Sequence, residues 1–142
     1  MTRTNKDIVI SLWKSFSTRD KAQMRNHLAE DAAWRAPADN ATAKFLSMPS
    51  AMNGRDEIVR FIVEQFPRMY AQDVKADYKG VYADGNTVVV EMTLSATLAN
   101  GRHYKNEYCF IHTLKDEKVV EIREFMDTYH GHRMIFGDAA TI

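Results

Sequence analysis

Apolar and polar residues alternate along residues 101–129, on both sides of the charged segment 115–118. Alternation with a period of two is typical of strands that bury one face. Two dipeptides, Asp84-Gly85 and Asn100-Gly101, favour two-residue hairpin turns because their residue types tolerate positive φ angles. The C-terminal half therefore predicts an antiparallel meander, with strands at 74–83, 87–99, 102–114 and 118–129.

The N-terminal half has helical spacing instead. Thr4 or Asn5 can cap a first helix, and Asp20 can cap a second, shorter one. Gly54 precedes a third helix, whose acidic first turn suits the helix dipole. The first helix carries an apolar stripe formed by Ile8, Val9, Leu12, Trp13 and Phe16. Three helices followed by a meander predict an α+β fold, with the helices on one face of a curved sheet.

The segment between the second and third helices is less regular. Residues 32–36 predict a short strand that carries Trp34 and ends before Pro37. Residues 37–53 predict a long connection, and connections of this length are usually lids, binding loops or mobile segments. The apolar residues of this connection either cover a cavity or plug the mouth of the core.

Length and charge limit the classes of function. The chain has 142 residues, which predicts a single domain over 1–142. Its 19 basic residues balance its 19 acidic residues, and no basic cluster predicts nucleic-acid binding. No apolar run is long enough to span a membrane, and the N-terminus lacks the apolar core of a signal peptide. We therefore expect a cytoplasmic protein with no nucleic-acid or membrane partner.

Turn lengths set which side chains share a face of the sheet. A two-residue turn at Asn100-Gly101 pairs Ala99 with Arg102, and so sets Thr93 opposite Tyr108. The turn at 115–118 leaves two alternatives. A bulged three-residue loop sets Tyr108 opposite Glu124, whereas a two-residue loop exchanges the faces of the last strand and turns Asp127 inward. The first register is preferred because it surrounds Glu124 with apolar residues.

In the preferred register, one face of the sheet combines carboxylates, hydroxyl groups and aromatic rings. Burial in such a cavity raises the pKa of a carboxyl group, and a carboxyl group tuned in this way serves as a general acid or base. Glu124 is the first candidate for that role. The expected face consists of Tyr78, Glu91, Thr93, Ser95, Asn106, Tyr108, Phe110, His112, Ile122, Glu124 and Met126.

Each remaining candidate has a structural alternative. Asp127 takes the acid-base role only in the other register, and otherwise ends its strand. His112 is either a proton shuttle or a hydrogen-bonded core histidine. Tyr108 and Asn106 donate hydrogen bonds to a substrate oxygen or to Glu124. Tyr78 and Trp34 are expected in the wall of the cavity.

The segment His130-Gly131-His132 does not predict a metal site, because two histidines lack the third ligand that zinc requires. No glycine-rich phosphate loop, CxxC motif or G-x-S-x-G motif occurs. We therefore expect neither a metal nor a cofactor.

Four segments resemble the NTF2-like superfamily, particularly its SnoaL-like and ketosteroid-isomerase-like members. They are Arg19-Asp20, residues 28–34 running into Pro37, residues 53–58, and residues 120–127. The resemblance covers nearly the whole chain. It implies a cone-shaped α+β barrel, in which three N-terminal helices pack on a curved antiparallel sheet with a mixed edge. It also implies an internal pocket and, in many members, dimerisation through the sheet.

The resemblance transfers little of the chemistry. Where ketosteroid isomerases place a base Asp, this chain has Ala36, and where they place a helical Tyr it has Leu12 and Trp13. Where limonene-epoxide-hydrolase-like members place an Arg-x-Asp, it has Glu91 and Thr93. An acid on the last strand, which those members and SnoaL-like cyclases share, is matched by Glu124, and His112 lies on the preceding strand.

Two classes of function follow. The first is a cofactor-independent enzyme that isomerises, hydrates or cyclises a small apolar carbonyl or epoxide compound. The second is a non-catalytic protein of the same fold that binds a small apolar ligand. In either case we expect a homodimer formed through the other face of the sheet, which carries Val81, Val88 and Val90 in this register.

Overall fold

A computed structural model describes residues 3–137, which form one curved sheet of six strands with helices packed against it. The helices are α1 (Asn5–Thr18), α2 (Lys21–His27), α3 (Ala41–Leu46), α4 (Arg55–Arg60), α5 (Phe66–Met69) and α6 (Thr128–Phe136). A π-helical turn, Phe61–Gln65, joins α4 to α5. The strands are β1 (Leu28–Arg35), β2 (Ala51–Asn53), β3 (Tyr70–Asp84), β4 (Thr87–Leu98), β5 (His103–Lys115) and β6 (Lys118–Met126).

The first two helices begin at the caps that the sequence predicts. The Thr4 side chain accepts a hydrogen bond from the Asp7 backbone, and the Asp7 side chain accepts one from the Thr4 backbone, so the two form a capping box. Asp20 caps α2 by accepting from the Gln23 backbone. The apolar stripe of α1 is buried against the sheet, as the helical spacing requires.

The sheet has the order β2-β1-β6-β5-β4-β3. Strands β3 to β6 form the predicted antiparallel meander, β1 joins β6 in parallel, and the short β2 pairs antiparallel with β1. The expected α+β architecture with a curved, mainly antiparallel sheet and a mixed edge is therefore confirmed.

Helix content differs from the prediction at three places. Residues 37–53 contain α3 and β2, and Asn40 caps α3 through a 2.9 Å hydrogen bond from the Ala43 backbone. The predicted third helix is interrupted by the π-helical turn. The strand expected to reach residue 129 ends at Met126, because Asp127 accepts from the His130 backbone and begins α6.

The β4–β5 hairpin corrects the first predicted register. The loop has three residues, 99–101, and Gly101 takes a φ of 85° as three-residue hairpins require. Leu94 therefore lies opposite Asn106 and Met92 opposite Tyr108. This slip of one residue exchanges the faces of β4, so the inward placement predicted for Glu91, Thr93 and Ser95 is wrong.

The same slip affects the surface expected to pair two copies of the chain. Val88 and Val90 are buried in the core, and Val81 packs against it. The outer face of the sheet instead carries the intervening residues of β4, among them Val89 and Glu91.

The β5–β6 hairpin matches neither alternative in full. Its turn has two residues, Asp116 and Glu117, both with positive φ as in a type I′ turn. An extra residue, Val120, forms a bulge in β6 opposite residues 113 and 114. Turn and bulge together shift the expected pairing by two residues, so Glu124 lies opposite Phe110 and keeps its place on the inner face.

The core lies between the inner face of the sheet and the helices. Its fully buried members include Leu12, Met24, Leu28, Ile58, Tyr104 and Ile122. Within residues 3–137, no helix is both long and apolar enough to cross a membrane.

Candidate functional site

A cavity of about 240 Å³ lies between α1, the 37–53 segment, the π-helical turn and the inner face of the sheet. Nine of its 25 lining residues are aromatic. Trp13, Phe16, Trp34, Phe61, Tyr78 and Phe110 all line it. Several of these rings meet edge to face, including Trp13 with Trp34 and Trp34 with Phe61. Such packing builds a rigid apolar wall.

Glu124 places a carboxyl group in this aromatic wall. Its Oε1 accepts a 2.8 Å hydrogen bond from Nε1 of Trp34, which lies two strand positions away on the neighbouring β1. Its Oε2 has no partner among the described residues. In the described residues, every fully buried side-chain oxygen or nitrogen has a hydrogen-bond partner, so the unpaired Oε2 is not fully buried. It is accessible through the cavity that Glu124 lines. One carboxylate oxygen is therefore held by the protein and the other is open to a ligand.

Burial raises the pKa of Glu124 from 4.5 to about 7, and the hydrogen bond from Trp34 offsets part of this effect. A carboxyl group with such a pKa is populated in both protonation states near neutral pH. It can then accept a proton from a ligand or give one to it.

Tyr108 supplies a second polar group to the cavity, and a chain of hydrogen bonds orients it. Its hydroxyl bonds to that of Tyr104, which accepts from Nδ2 of Asn106 at 3.2 Å. The amide of Asn106 is fixed, because Nδ2 also donates to the Asp127 carbonyl and Oδ1 accepts from the Glu107 backbone. The amide therefore donates to Tyr104, and the hydroxyl groups of Tyr104 and Tyr108 bond to each other with either one as the donor.

Both phenols are protonated near neutral pH, since burial raises the pKa of Tyr104 and raises that of Tyr108 well above its usual value. Tyr70 also lines the cavity, and its hydroxyl lies 2.7 Å from that of Thr42 on α3. The polar groups described so far therefore lie on the last strand, on β3 and β5, and on α3.

His112 lies outside the cavity lining, in the core behind Trp13. Its Nε2 accepts a 2.9 Å hydrogen bond from Nε1 of Trp13, and its Nδ1 lies 2.8 Å from the Val88 carbonyl. This pattern requires a neutral ring protonated on Nδ1. Burial lowers the pKa of His112 to about 4, in keeping with that state. The structure therefore places His112 as a hydrogen-bonded core histidine.

Four further predicted site residues also lie away from the main cavity. Asp127 is an exposed helix cap. Asn106 is buried behind Tyr108 and orients it. Met126 lies beneath α6, because it follows Glu124 by two positions toward the end of the strand. Glu91 is exposed on the outer face, where the slip in β4 places it.

The segment 130–132 has a packing role. A Cβ at Gly131 would lie 3.2 Å from Nδ2 of Asn106, so glycine lets α6 approach the amide that orients the tyrosines. His130 lies 2.9 Å from the Lys105 carbonyl, and His132 is buried beside Phe136. No group of three or more potential metal ligands occurs in the part of the chain that the structure describes.

Sequence reasoning missed several cavity residues. Trp13 and Phe16 belong to the predicted core stripe of α1, yet both also line the cavity. The predicted loop at 37–53 gave no position for Thr42, although Asn40 is a helix-cap signal. Arg19 ends α1 in a left-handed conformation with a φ of 55°, which no pattern in the sequence predicted.

Comparisons with known proteins agree with this architecture. An NTF2-like protein from Burkholderia pseudomallei superposes with a TM-score of 0.79 at 22% identity, over 94% of this chain and 98% of that chain. TerC, co-crystallised with polyporic acid, gives 0.78 at 18% identity, over 93% and 98%. A loop-truncation variant of IdmH gives 0.72 at 17% identity, over 92% and 98%. The chain therefore has the NTF2-like fold.

The sequence model of the SnoaL-like domain family matches residues 9–122. That range includes most of α1, the 37–53 segment and five of the six strands in full. The chain belongs to the SnoaL-like family. No curated protein matches it.

Proposed function

We propose that the cavity binds a small, largely aromatic carbonyl or epoxide compound and that Glu124 transfers a proton to or from it without a cofactor. The observation that carries this proposal is the Glu124 carboxyl group, open to an aromatic cavity through one oxygen and with a pKa of about 7. General acid-base catalysis is most effective when the pKa of the group lies near the working pH.

The size of the cavity supports a ligand of one or two rings. An apolar cavity of roughly 150 Å³ accommodates benzene, so about 240 Å³ leaves room for a somewhat larger compound. The aromatic wall favours a flat molecule, since stacked and edge-to-face contacts are then available on several sides. TerC, which shares the fold, was co-crystallised with a small molecule, polyporic acid.

With a carbonyl compound, the proposed step is an isomerisation. The Glu124 carboxylate removes a proton from the carbon next to the carbonyl group, and the electron pair of that C–H bond moves to the carbonyl oxygen. The Tyr108 hydroxyl donates a hydrogen bond to the resulting oxyanion. Glu124 then returns the proton to a different carbon. With an epoxide, the same carboxylate deprotonates a water that attacks a ring carbon, the C–O bond of that carbon to the ring oxygen breaks, and the released oxygen takes up the proton held by Glu124.

The test is turnover of a panel of aromatic enones and epoxides by the wild type and Glu124→Gln. Glutamine keeps the shape of the side chain and an acceptor for Trp34, but cannot take a proton. We expect Glu124→Gln to lose turnover by about a hundredfold or more, within the range for general-base removal, while ligand affinity persists. Equal turnover by the two proteins would refute Glu124 as the acid-base group.

A second function, ligand binding without catalysis, is favoured by one specific feature. Among the described residues that line the cavity, Glu124 is the only acid, so a two-carboxylate mechanism has no second member. Native mass spectrometry of freshly purified protein separates the two functions. A co-purified compound that is recovered chemically unchanged after incubation supports binding alone.

We also propose that two copies associate through the outer face of the sheet. A run of apolar side chains crosses four strands there, since Tyr82 lies opposite Val89, Val89 opposite Ile111, and Cys109 opposite Phe125, and the exposed Glu91 and Arg123 flank it. Tyr82 and Phe125 are 56% and 48% exposed. Pairing of identical surfaces about a two-fold axis would cover these rings.

A further inference from the structure

The charges that face the cavity are few and lie apart. Among the described lining residues, Glu124 and Arg19 are the only two with formally charged side chains. Glu124 is enclosed by the aromatic wall, whereas Arg19 is exposed at the C-terminal end of α1. The cavity therefore has a cation at its rim and a titrating acid inside.

The guanidinium of Arg19 has no partner in the region from residue 3 to residue 137. Its backbone N–H caps the Phe16 and Ser15 carbonyls, but its side chain makes no hydrogen bond or ion pair there. Several other arginines of the chain are paired, such as Arg35 with Glu121 and Arg60 with Glu64. Arg19 is thus free to bind an anion at the cavity rim.

Arg19 and two rings of the aromatic wall lie on the same helix, α1. The helix begins beside the β3–β4 turn, where Asn5 donates to the Gly85 carbonyl, and its last two turns carry Trp13 and Phe16 past the cavity. Arg19 lies six residues beyond Trp13, or about 9 Å along the axis. A flat ligand lying along Trp13 and Phe16 therefore has its outer end near Arg19.

We propose that Arg19 is a specificity-determining residue that binds a carboxylate at the outer end of an aromatic ligand. The ligand class is then an aromatic acid whose opposite end carries a neutral oxygen, held near Tyr108 and Glu124. Electrostatics fixes this orientation, because a second anion at the inner end would face the Glu124 carboxylate. Guanidinium and carboxylate form paired, charge-assisted hydrogen bonds that single out this end of the ligand.

This inference rests on the proposed use of the cavity and is tested with two probes that differ by one carboxylate group. They are 2-naphthol and 6-hydroxy-2-naphthoic acid, and binding is followed by quenching of Trp13 and Trp34 fluorescence and by calorimetry. The proteins are the wild type, Arg19→Gln and Arg19→Lys. Both replacements are non-glycine residues, so the left-handed backbone at position 19 is equally demanding in each.

Lys115→Gln is the matched control for loss of one positive charge. Lys115 is exposed, and it lies near the opposite end of α1, because the Leu114 backbone donates to Asn86 beside the start of that helix. The 14 residues of α1 span about 21 Å between these ends. At physiological ionic strength a charge at that distance is largely screened.

We expect Arg19→Gln to weaken binding of the acid by about tenfold, the effect of one charge-assisted contact, and to leave the affinity for 2-naphthol unchanged. Arg19→Lys retains part of the preference for the acid, and Lys115→Gln changes neither affinity. Equal weakening of both probes by Arg19→Gln, or no weakening of the acid, overturns the role of Arg19 while the cavity remains a binding site. Failure of both probes to bind the wild type overturns this inference together with the proposed function.

Discussion

Nε1 of Trp34 donates a 2.8 Å hydrogen bond to Oε1 of Glu124, across the one parallel strand pair of the sheet in the described residues. The bond joins the first strand to the last, and it joins the wall of the cavity to its acid. It stabilises the ionised carboxylate, whereas the surrounding apolar rings oppose ionisation. The balance of these two effects sets the chemistry that Glu124 can perform.

The raised pKa of Glu124 makes folding stability depend on pH. The folded protein prefers the protonated carboxyl group, so its extra stability is present below about pH 4.5 and is lost as pH rises to about 7. Glu124→Gln does not titrate at this position. We therefore expect its free energy of unfolding to rise relative to that of the wild type by up to about 3 kcal/mol over that interval. Urea unfolding of both proteins at pH 4.5, 6 and 8 measures this difference. A constant difference across pH would mean that the Glu124 pKa is close to its usual value.

Replacement of Trp34 tests how much its hydrogen bond lowers the pKa of Glu124. Trp34→Phe keeps an aromatic ring but removes the donor to Oε1, so we expect the pKa of Glu124 to rise above its value in the wild type. Trp13→Phe is the matched control, because Trp13 also lines the cavity but donates to His112 instead. Carbon-13 NMR of the glutamate carboxyl groups, assigned with Glu124→Gln, reports the midpoint directly. Equal midpoints in all three proteins would show that the indole bond does not tune Glu124.

The predicted face of a strand was correct only where the error in the expected pairing was an even number of residues. At β5–β6, a two-residue turn and a bulge at Val120 shifted the expected pairing by two positions, which preserved the inward direction of Glu124. At β4–β5, one extra loop residue shifted the pairing by one position, which moved Glu91 to the outer face. Because side chains alternate with a period of two, only shifts by an odd number change the face.

The sequence predicted the long helix α1 better than the short helix α3. The stripe and cap of α1 predicted its position, whereas α3 has only six residues and shows no repeated apolar period. The Trp34–Glu124 bond was not predictable, since it depends on the parallel pairing of two strands separated by most of the chain. Arg19 lines the cavity with its own backbone in a left-handed conformation. That conformation favours glycine or asparagine, so the presence of an arginine did not predict it.

His112 provides a prediction about a core polar group. Its folded-state pKa of about 4 lies below the usual 6.5, so its contribution to stability is present above pH 6.5 and is lost as pH falls toward 4. We expect the imidazole to remain neutral and protonated on Nδ1 down to about pH 5. Nitrogen-15 NMR of the ring identifies the tautomer, and the exposed His103 supplies a second imidazole signal for comparison. A midpoint near 6.5 for His112 would contradict the buried bond to Trp13.

The proposed dimer predicts a measurable role for Phe125. This ring is 48% exposed on the outer face, beside Cys109 on the neighbouring strand. Phe125→Lys places a charge at the β6 end of that surface in both copies, so the cost of burying this charge opposes association. We expect light scattering at micromolar concentration to give a dimer mass for the wild type. For the variant we expect a dissociation constant at least about tenfold weaker, equivalent to 1.4 kcal/mol.

Tyr129→Lys is the control, since Tyr129 is 61% exposed but lies on α6, outside the sheet. A monomer mass for the wild type would refute the dimer, and equal weakening by both variants would place the contact elsewhere.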